Sequence, residues 1–129
     1  MGRFLPTLVV PVVLLAGAGD AQEPEVTVPS GQPLELYESF VPEEGAGILY
    51  VSYLAPNLGE SSVTYDVADA DMEAICSDFA LAEAAKADEP ISEVFIRLMA
   101  EPIDYGATAP GVTQYAASYD VTSGACEYM

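Results

Sequence analysis

The chain has 129 residues, 21 of them acidic and three basic, with no histidine and a formal net charge of −18 at pH 7. This charge argues against binding to nucleic acid or to an anionic membrane surface, because both need basic patches. The lack of histidine excludes Ser-His-Asp and Cys-His catalytic arrangements, and the length allows one domain with a modest core.

The first segment, residues 1–21, is predicted to be a secretory signal peptide. It combines an early basic residue, Arg3, with an apolar run over residues 4–17 and small residues after that run. A membrane anchor would need about 20 consecutive apolar residues, whereas this run is shorter and contains two prolines.

Two cleavage points fit the small residues that end the signal. We expect cleavage after Ala21, which would release Gln22, because the polar sequence starts there; cleavage after Ala18 is the alternative. No cysteine comes directly after these small residues, so a lipid anchor is not expected. The protein is therefore predicted to be periplasmic or secreted, with no membrane anchor after cleavage.

Residues 22–33 carry three prolines and a glycine among polar residues and are predicted to be an extended, flexible lead-in. The remainder, residues 34–129, is predicted to be a single α+β domain. Before its helix we expect three strands, which are rich in β-branched and aromatic residues, over residues 34–41, 46–54 and 62–67.

One helix is predicted to begin around residues 66–71 and to end before Pro90. Its amino end would be capped by Asp66 or Asp69. Helical spacing places five residues on one face of it: Met72, Ile75, Cys76, Phe79 and Ala82.

After the helix, strands are expected over residues 91–100, 112–121 and 125–129. Short links between strands favour antiparallel pairing. The predicted fold is therefore a two-layer α+β domain, in which an antiparallel sheet of about five strands carries one helix on one face.

Cys76 and Cys126 are the two cysteines of the chain. In an oxidising compartment an even pair predicts a disulfide. Closing the loop between these positions would contribute roughly 4 kcal/mol in the chain-entropy model. A catalytic thiol would need a histidine or basic neighbour and a zinc site about four ligands, so both are less favoured.

No catalytic, cofactor-binding or metal-binding residue is predicted. The densest group of carboxylates is Asp66, Asp69, Asp71 and Glu73. Counted from either of the first two, the sixth and twelfth positions lack the glycine and glutamate of an EF-hand loop. Helix capping explains these carboxylates better than calcium binding does.

Period-two counting places Glu93, Phe95, Arg97 and Met99 on one face of a strand. For Arg97 a surface ion pair with a neighbouring carboxylate is the default expectation, and binding of an anionic ligand is the alternative. Five tyrosines on expected strands are assigned to packing rather than to a sugar-stacking platform: Tyr50, Tyr53, Tyr65, Tyr115 and Tyr119.

The carboxy-terminal part carries the strand SEVFIRLMAEP, then Asp104-Tyr105-Gly106, Thr113-Gln114-Tyr115 and the ending Ser123-Gly124-Ala125-Cys126-Glu127. With these motifs, residues 91–129 resemble a family of small exported proteins of Rhodobacter-like alphaproteobacteria, a domain of unknown function. The resemblance implies a periplasmic or secreted location and supports pairing of the two cysteines. It supplies no active residues.

These observations predict an acidic, exported, non-enzymatic binding or interaction module of the periplasm. Its partner would be an unknown envelope protein or a small ligand. Solubility is the simplest interpretation of the charge; docking to a basic partner and loose binding of divalent cations are the alternatives. A cell-envelope hydrolase using carboxylates and a weak calcium-dependent module are the competing functions.

Overall fold

A computed structural model of the protein describes residues 26–129. The predicted signal peptide and the predicted cleavage between Ala21 and Gln22 lie outside the described residues. The strands are β1 (Glu35–Phe40), β2 (Ile48–Leu54), β3 (Glu93–Met99), β4 (Gln114–Asp120) and β5 (Glu127–Tyr128). A single helical stretch consists of α1 (Tyr65–Ile75), a π-helical turn (Cys76–Ala80) and α2 (Leu81–Ala85), and a short 3₁₀ turn spans Glu43–Gly45.

The five strands form one sheet in the order β1-β2-β3-β4-β5. The predicted α+β class with one helix is confirmed, but the expectation of a purely antiparallel sheet is wrong, because β2 and β3 run parallel. The helical stretch lies between these two strands and returns the chain to the end of the sheet where β2 began. The next strand therefore enters in the same direction.

The expected strand over residues 62–67 is also wrong. Thr64 has an extended backbone, and its hydroxyl oxygen accepts a hydrogen bond from the backbone N–H of Val67 at 3.4 Å. This N-cap starts the helix at Tyr65, because it satisfies one of the free amide groups of the first turn. The cap is thus Thr64 rather than Asp66 or Asp69.

The helical stretch covers one face of the sheet, which we call the closed face. In β3 the side chains of Val94, Ile96 and Leu98 are fully buried there. The neighbouring strands and the helix complete the core with Leu49, Val51, Tyr53, Ala117, Tyr119, Met72, Ile75 and Phe79. Each large aliphatic side chain buried in this way stabilises the fold by about 1.5–3 kcal/mol relative to its exposure.

The π-helical turn changes which residues of the helix face the core. The predicted buried positions hold as far as Phe79, but Ala82 is exposed and Ala80 is fully buried instead. A π turn inserts one residue into the helical repeat, so every later side chain is rotated relative to α-helical spacing. The regular spacing used for the prediction therefore fails after Phe79.

The predicted disulfide is confirmed: Cys76 and Cys126 are bonded, with their Cα atoms 6.3 Å apart. Cys76 is fully buried at the start of the π turn. The bond therefore ties the helix on the closed face to the segment just before β5.

The segment ahead of β1 contacts the helix. Val28 is buried in the core, and the fully buried carboxylate of Asp71 accepts three hydrogen bonds from this segment. The donors are the Ser30 backbone N–H at 3.0 Å, the Ser30 hydroxyl at 2.5 Å and the Gln32 side-chain amide at 2.7 Å. Charge-assisted bonds of this kind are about twice as strong as neutral ones, so they attach the segment firmly to α1. Of the helices in residues 26–129, none is long and apolar enough to cross a membrane.

Candidate functional site

The face of the sheet turned away from the helix, here called the open face, carries a row of aromatic rings. The strand register places Phe40 of β1, Tyr50 of β2 and Phe95 of β3 side by side. The ring centroids of Phe40 and Tyr50 are 5.4 Å apart, and Tyr50 and Phe95 are stacked at 5.7 Å. Cross-strand pairing of aromatic residues thus builds a continuous apolar surface over three strands.

The connection between β3 and β4, residues 100–113, crosses this face and is called the strap. Its Tyr105 ring packs edge-on against Tyr50 at 4.8 Å and Phe40 at 5.3 Å. Its Asp104 accepts a 2.5 Å hydrogen bond from the Tyr37 hydroxyl of β1. That bond, with the negative charge of Asp104, raises the pKa of Tyr37. The strap is therefore anchored to the far edge of the sheet.

A groove runs along the open face beside the strap. Its main cavity has a volume of about 520 Å³; Ile48, Tyr50 and Phe95 line it from the sheet, and Tyr105 and Gly106 from the strap. Gly106 has φ +85°, a left-handed conformation that side-chain-bearing residues rarely adopt. The strap can thus turn sharply at the wall of the groove.

A second cavity of about 460 Å³ adjoins the first, since both are lined by Phe95 and Arg97. Its other lining comes from the later strap residues Ala107–Pro110 and from Gln114 and Ala116 of β4. Arg97 and Phe95 are therefore accessible from both cavities and form the centre of the groove.

Arg97 is held in place by two contacts. Its Nη1 donates a hydrogen bond to the side-chain oxygen of Gln114 at 3.2 Å, and its Cζ lies 5.7 Å from the centroid of the Tyr50 ring, within cation–π range. Across residues 26–129, the ion pair of Lys86 with Glu83 at 2.9 Å is the only one within 4.0 Å. The expected surface ion pair of Arg97 is therefore wrong.

On the open face, three buried polar atoms have no hydrogen-bond partner in the described part of the chain: the hydroxyls of Tyr50 and Ser52 and one carboxylate oxygen of Glu38. Tyr50 is 3% exposed and Ser52 is fully buried. The register puts Glu38, Ser52 and Arg97 in one row across three strands. Because buried polar groups are normally hydrogen-bonded, we expect these three atoms to bond to water or to a ligand.

Two carboxylates, Glu44 and Glu93, line the main cavity. Burial, a hydrogen bond to Glu44 and the charge of Glu44 raise the pKa of Tyr105, so its phenol stays neutral. Glu93 and Arg97 are four residues apart on the same face of β3, which separates their Cα atoms by about 13 Å. The groove therefore has a positive centre and negative charges toward the end near Glu93.

The other residues singled out from the sequence, the helix carboxylates and the tyrosines, do not form a second site. Asp71 is bonded to the segment ahead of β1 and Asp66 is exposed at the start of α1. In the described residues no group of three or more acidic or cysteine side chains is arranged to hold a metal ion. The predicted packing role fits Tyr53 and Tyr119, which are buried on the closed face.

Sequence reasoning missed two aromatic residues of the site, Phe40 and Tyr105. Phe40 ends β1, and the β-bulge between Leu36 and Glu38 shifts its register by one residue. Counting alternate residues from the start of β1 therefore gives the wrong face of the sheet for residues after the bulge, including Phe40. Tyr105 lies in a loop, and only the Gly106 that follows it signals a sharp turn.

A comparison with protein-family models matches residues 12–129 to a family of unknown function, DUF6497. The chain belongs to the DUF6497 family. The match spans far more of the chain than residues 91–129, which carry the resemblance to a family of small exported proteins, and it likewise assigns no function. Searches of the curated proteins and of the solved structures found no match to this DUF6497 chain.

Proposed function

We propose that this DUF6497 protein is a non-enzymatic binding module of the bacterial cell envelope, and that the groove of the open face is its ligand site. The observation that carries the proposal is the grouping of aromatic rings, an arginine without an ion pair and buried unpartnered hydroxyls on one face. Ligand sites are typically concave, mostly apolar and about 300–1,000 Å³ in volume, with a few placed polar groups. The main cavity, at about 520 Å³, fits that description.

Export to the periplasm is supported by the signal-like pattern of residues 1–21 and by the disulfide, since such bonds persist in oxidising compartments. The test is cell fractionation followed by intact-mass measurement of the unreduced protein. We expect a periplasmic chain that starts at Gln22 and is two hydrogens lighter than its dithiol form. A cytoplasmic chain that retains residues 1–21 would contradict this part of the proposal.

Binding at the groove can be tested with a library of small aromatic compounds and amide chemical-shift mapping. We expect compounds that bind to shift the signals of Phe95, Arg97 and Gly106. Tyr105→Ala removes the strap ring from the groove and should weaken binding about tenfold or more, since such a ring is a major contact. Tyr65→Ala is the matched control, because Tyr65 is also an exposed tyrosine in an edge-on ring pair but lies on α1. Shifts that cluster away from the groove would contradict the proposal.

A second candidate function, hydrolysis by carboxylates, is favoured by one observation: Glu44 and Glu93 line the same cavity. A pair of carboxylates on either side of a scissile bond is the minimal equipment of a glycosidase. Hydrolysis of nitrophenyl glycosides that is lost in Glu44→Gln and in Glu93→Gln would favour this function over simple binding. Hydrolysis unchanged by both substitutions would eliminate it.

A further inference from the structure

We infer that the ligand of the groove is a monocarboxylate with a flat apolar body, and that Arg97 binds its carboxylate group. The inference rests on the proposed function, because it assigns a ligand class to the same groove. It depends on three features of the groove: the free donors of Arg97, the distribution of charge, and the shape of the aromatic surface.

The guanidinium of Arg97 has donors to spare. Of its five N–H groups, one is used in the hydrogen bond to Gln114. No carboxylate in residues 26–129 lies within 4.0 Å of it. Stacking on Tyr50 and the bond to Gln114 hold the planar group in place, so little conformational entropy is lost when it binds an anion.

The absence of an ion pair at Arg97 is informative in this chain because carboxylates are abundant. After the predicted cleavage 20 acidic residues would remain against Lys86 and Arg97. Lys86, on the exposed end of the helix, forms an ion pair with Glu83, whereas Arg97, in the groove, forms no ion pair with any described residue. The groove thus keeps its cation available for an incoming anion.

The charged residues around the groove favour a ligand with a single negative charge. One guanidinium attracts the anion, while Glu44 and Glu93 line the same cavity and repel it in proportion to its charge. A phosphate dianion would therefore be penalised relative to a carboxylate. The planar fork of the guanidinium also matches the two oxygens of a carboxylate in a bidentate arrangement.

The apolar body of the ligand follows from the surface next to Arg97. Phe95 lines both cavities, and its ring is nearly parallel to that of Tyr50, with 12° between their planes. Ile48 extends this surface along β2. A flat ring or short apolar chain attached to the carboxylate would lie on these side chains and be removed from water.

The test is amide chemical-shift titration of the purified protein with four probes: 3-phenylpropionate, 3-phenylpropionamide, acetate and phenyl phosphate. We expect 3-phenylpropionate to shift Phe95, Arg97 and Gln114, and to bind about tenfold more tightly than its neutral amide. Acetate, which lacks the ring, and phenyl phosphate, which carries a second charge, should both bind more weakly than 3-phenylpropionate.

Two variants separate the local effect of Arg97 from the effect of net charge. Arg97→Gln should reduce the affinity for 3-phenylpropionate to that for the amide. Lys86→Gln removes the same charge at the end of the helix and should leave the affinity within about twofold of wild type, because exposed distant charges are screened. If Arg97→Gln fails to fold, Arg97→Lys serves instead; it keeps the charge without the planar fork and should lose about threefold or more.

The outcomes distinguish the inference from the function on which it rests. Equal binding of the acid and the amide at the groove, unchanged in Arg97→Gln, would overturn the inference and leave the binding function standing. Tighter binding of phenyl phosphate than of 3-phenylpropionate would overturn the choice of a monocarboxylate. If no probe shifted any groove residue, both the inference and the proposed function would fail.

Discussion

The two faces of the sheet are built from alternate residues of the same strands, yet they are covered in different ways. Along β3, Val94, Ile96 and Leu98 are fully buried against the helix, while Phe95 and Arg97 between them stay partly exposed. A continuous helix covers the closed face, and a loop held at a few points covers part of the open face. Stability and the proposed ligand binding would therefore depend on different side chains of one strand, and mutation can separate them.

The strongest test of the closed face is removal of its disulfide. In Cys76→Ser/Cys126→Ser, we expect the free energy of unfolding to fall by about 4 kcal/mol, because the loop between the two positions is no longer constrained in the unfolded chain. Urea unfolding followed by circular dichroism measures this change. Reduction of the wild-type protein is the control and should produce the same loss. A loss below about 1 kcal/mol would show that the helix is held by packing alone.

Neighbouring residues of β3 give the most direct comparison of the faces. Ile96→Ala should cost about 3 kcal/mol of unfolding free energy, because it leaves a cavity under the helix. Phe95→Ala, one residue away on the open face, should cost about 1 kcal/mol, mainly the lost stacking on Tyr50. Denaturant midpoints of both variants measure the difference. Equal losses would mean that the open face is as tightly packed as the closed one.

Asp71 tests whether the segment ahead of β1 belongs to the closed face. Asp71→Asn removes the charge and replaces one acceptor oxygen with an NH₂ group, so it loses some of the hydrogen bonds from Ser30 and Gln32 and should cost about 1–3 kcal/mol. Amide hydrogen exchange should also become faster at Ser30. Asp66→Asn, an exposed position on the same helix, is the control and should have little effect. Unchanged exchange at Ser30 would contradict the role of Asp71.

The smallest expected effect is the dependence of stability on alkaline pH. Burial, together with the charges of Asp69 and Glu73, raises the pKa of Tyr119 on the closed face, so folding favours its neutral phenol. That contribution is complete below about pH 10, the ordinary pKa of tyrosine, and is lost as the pH rises through the folded-state pKa. Urea midpoints at pH 8 and pH 11 should therefore differ less in Tyr119→Phe than in wild type. Tyr115→Phe, on the same strand, is the control; identical shifts in all three proteins would refute the assignment.

Much of the fold could be predicted from local patterns. More and less buried side chains alternate regularly along β3 and β4, and the helix residues predicted to be buried are buried as far as Phe79. Both patterns are predictable because side-chain direction in a regular element depends on residues close in sequence. The parallel pairing of β2 and β3 could not be predicted, since it depends on where a long crossover returns the chain. The rotation of Ala82 out of the core also has no local signal, because nothing in the sequence marks a π turn.

The site was predicted only in outline. Period-two counting correctly placed Phe95 and Arg97 together, and the alternative that Arg97 binds an anion came from its rarity in the sequence. Whether a partly exposed arginine forms an ion pair with a carboxylate depends on side chains of other strands and loops, which residue spacing does not reveal. The strap residue Tyr105 is brought to the groove by tertiary contacts with Phe40 and Tyr50, so its role could be found only in three dimensions.

The parallel pair at the centre of the sheet has a consequence for how the molecule assembles. The chain can form β1–β2 and β3–β4 as separate antiparallel ribbons, each closed by a comparatively short connection. The two ribbons join only when β2 pairs with β3, and residues 55–92 separate these two strands in the sequence. Contacts between distant parts of a sequence slow folding. We therefore expect this docking of two ribbons, rather than the formation of either one, to set the folding rate.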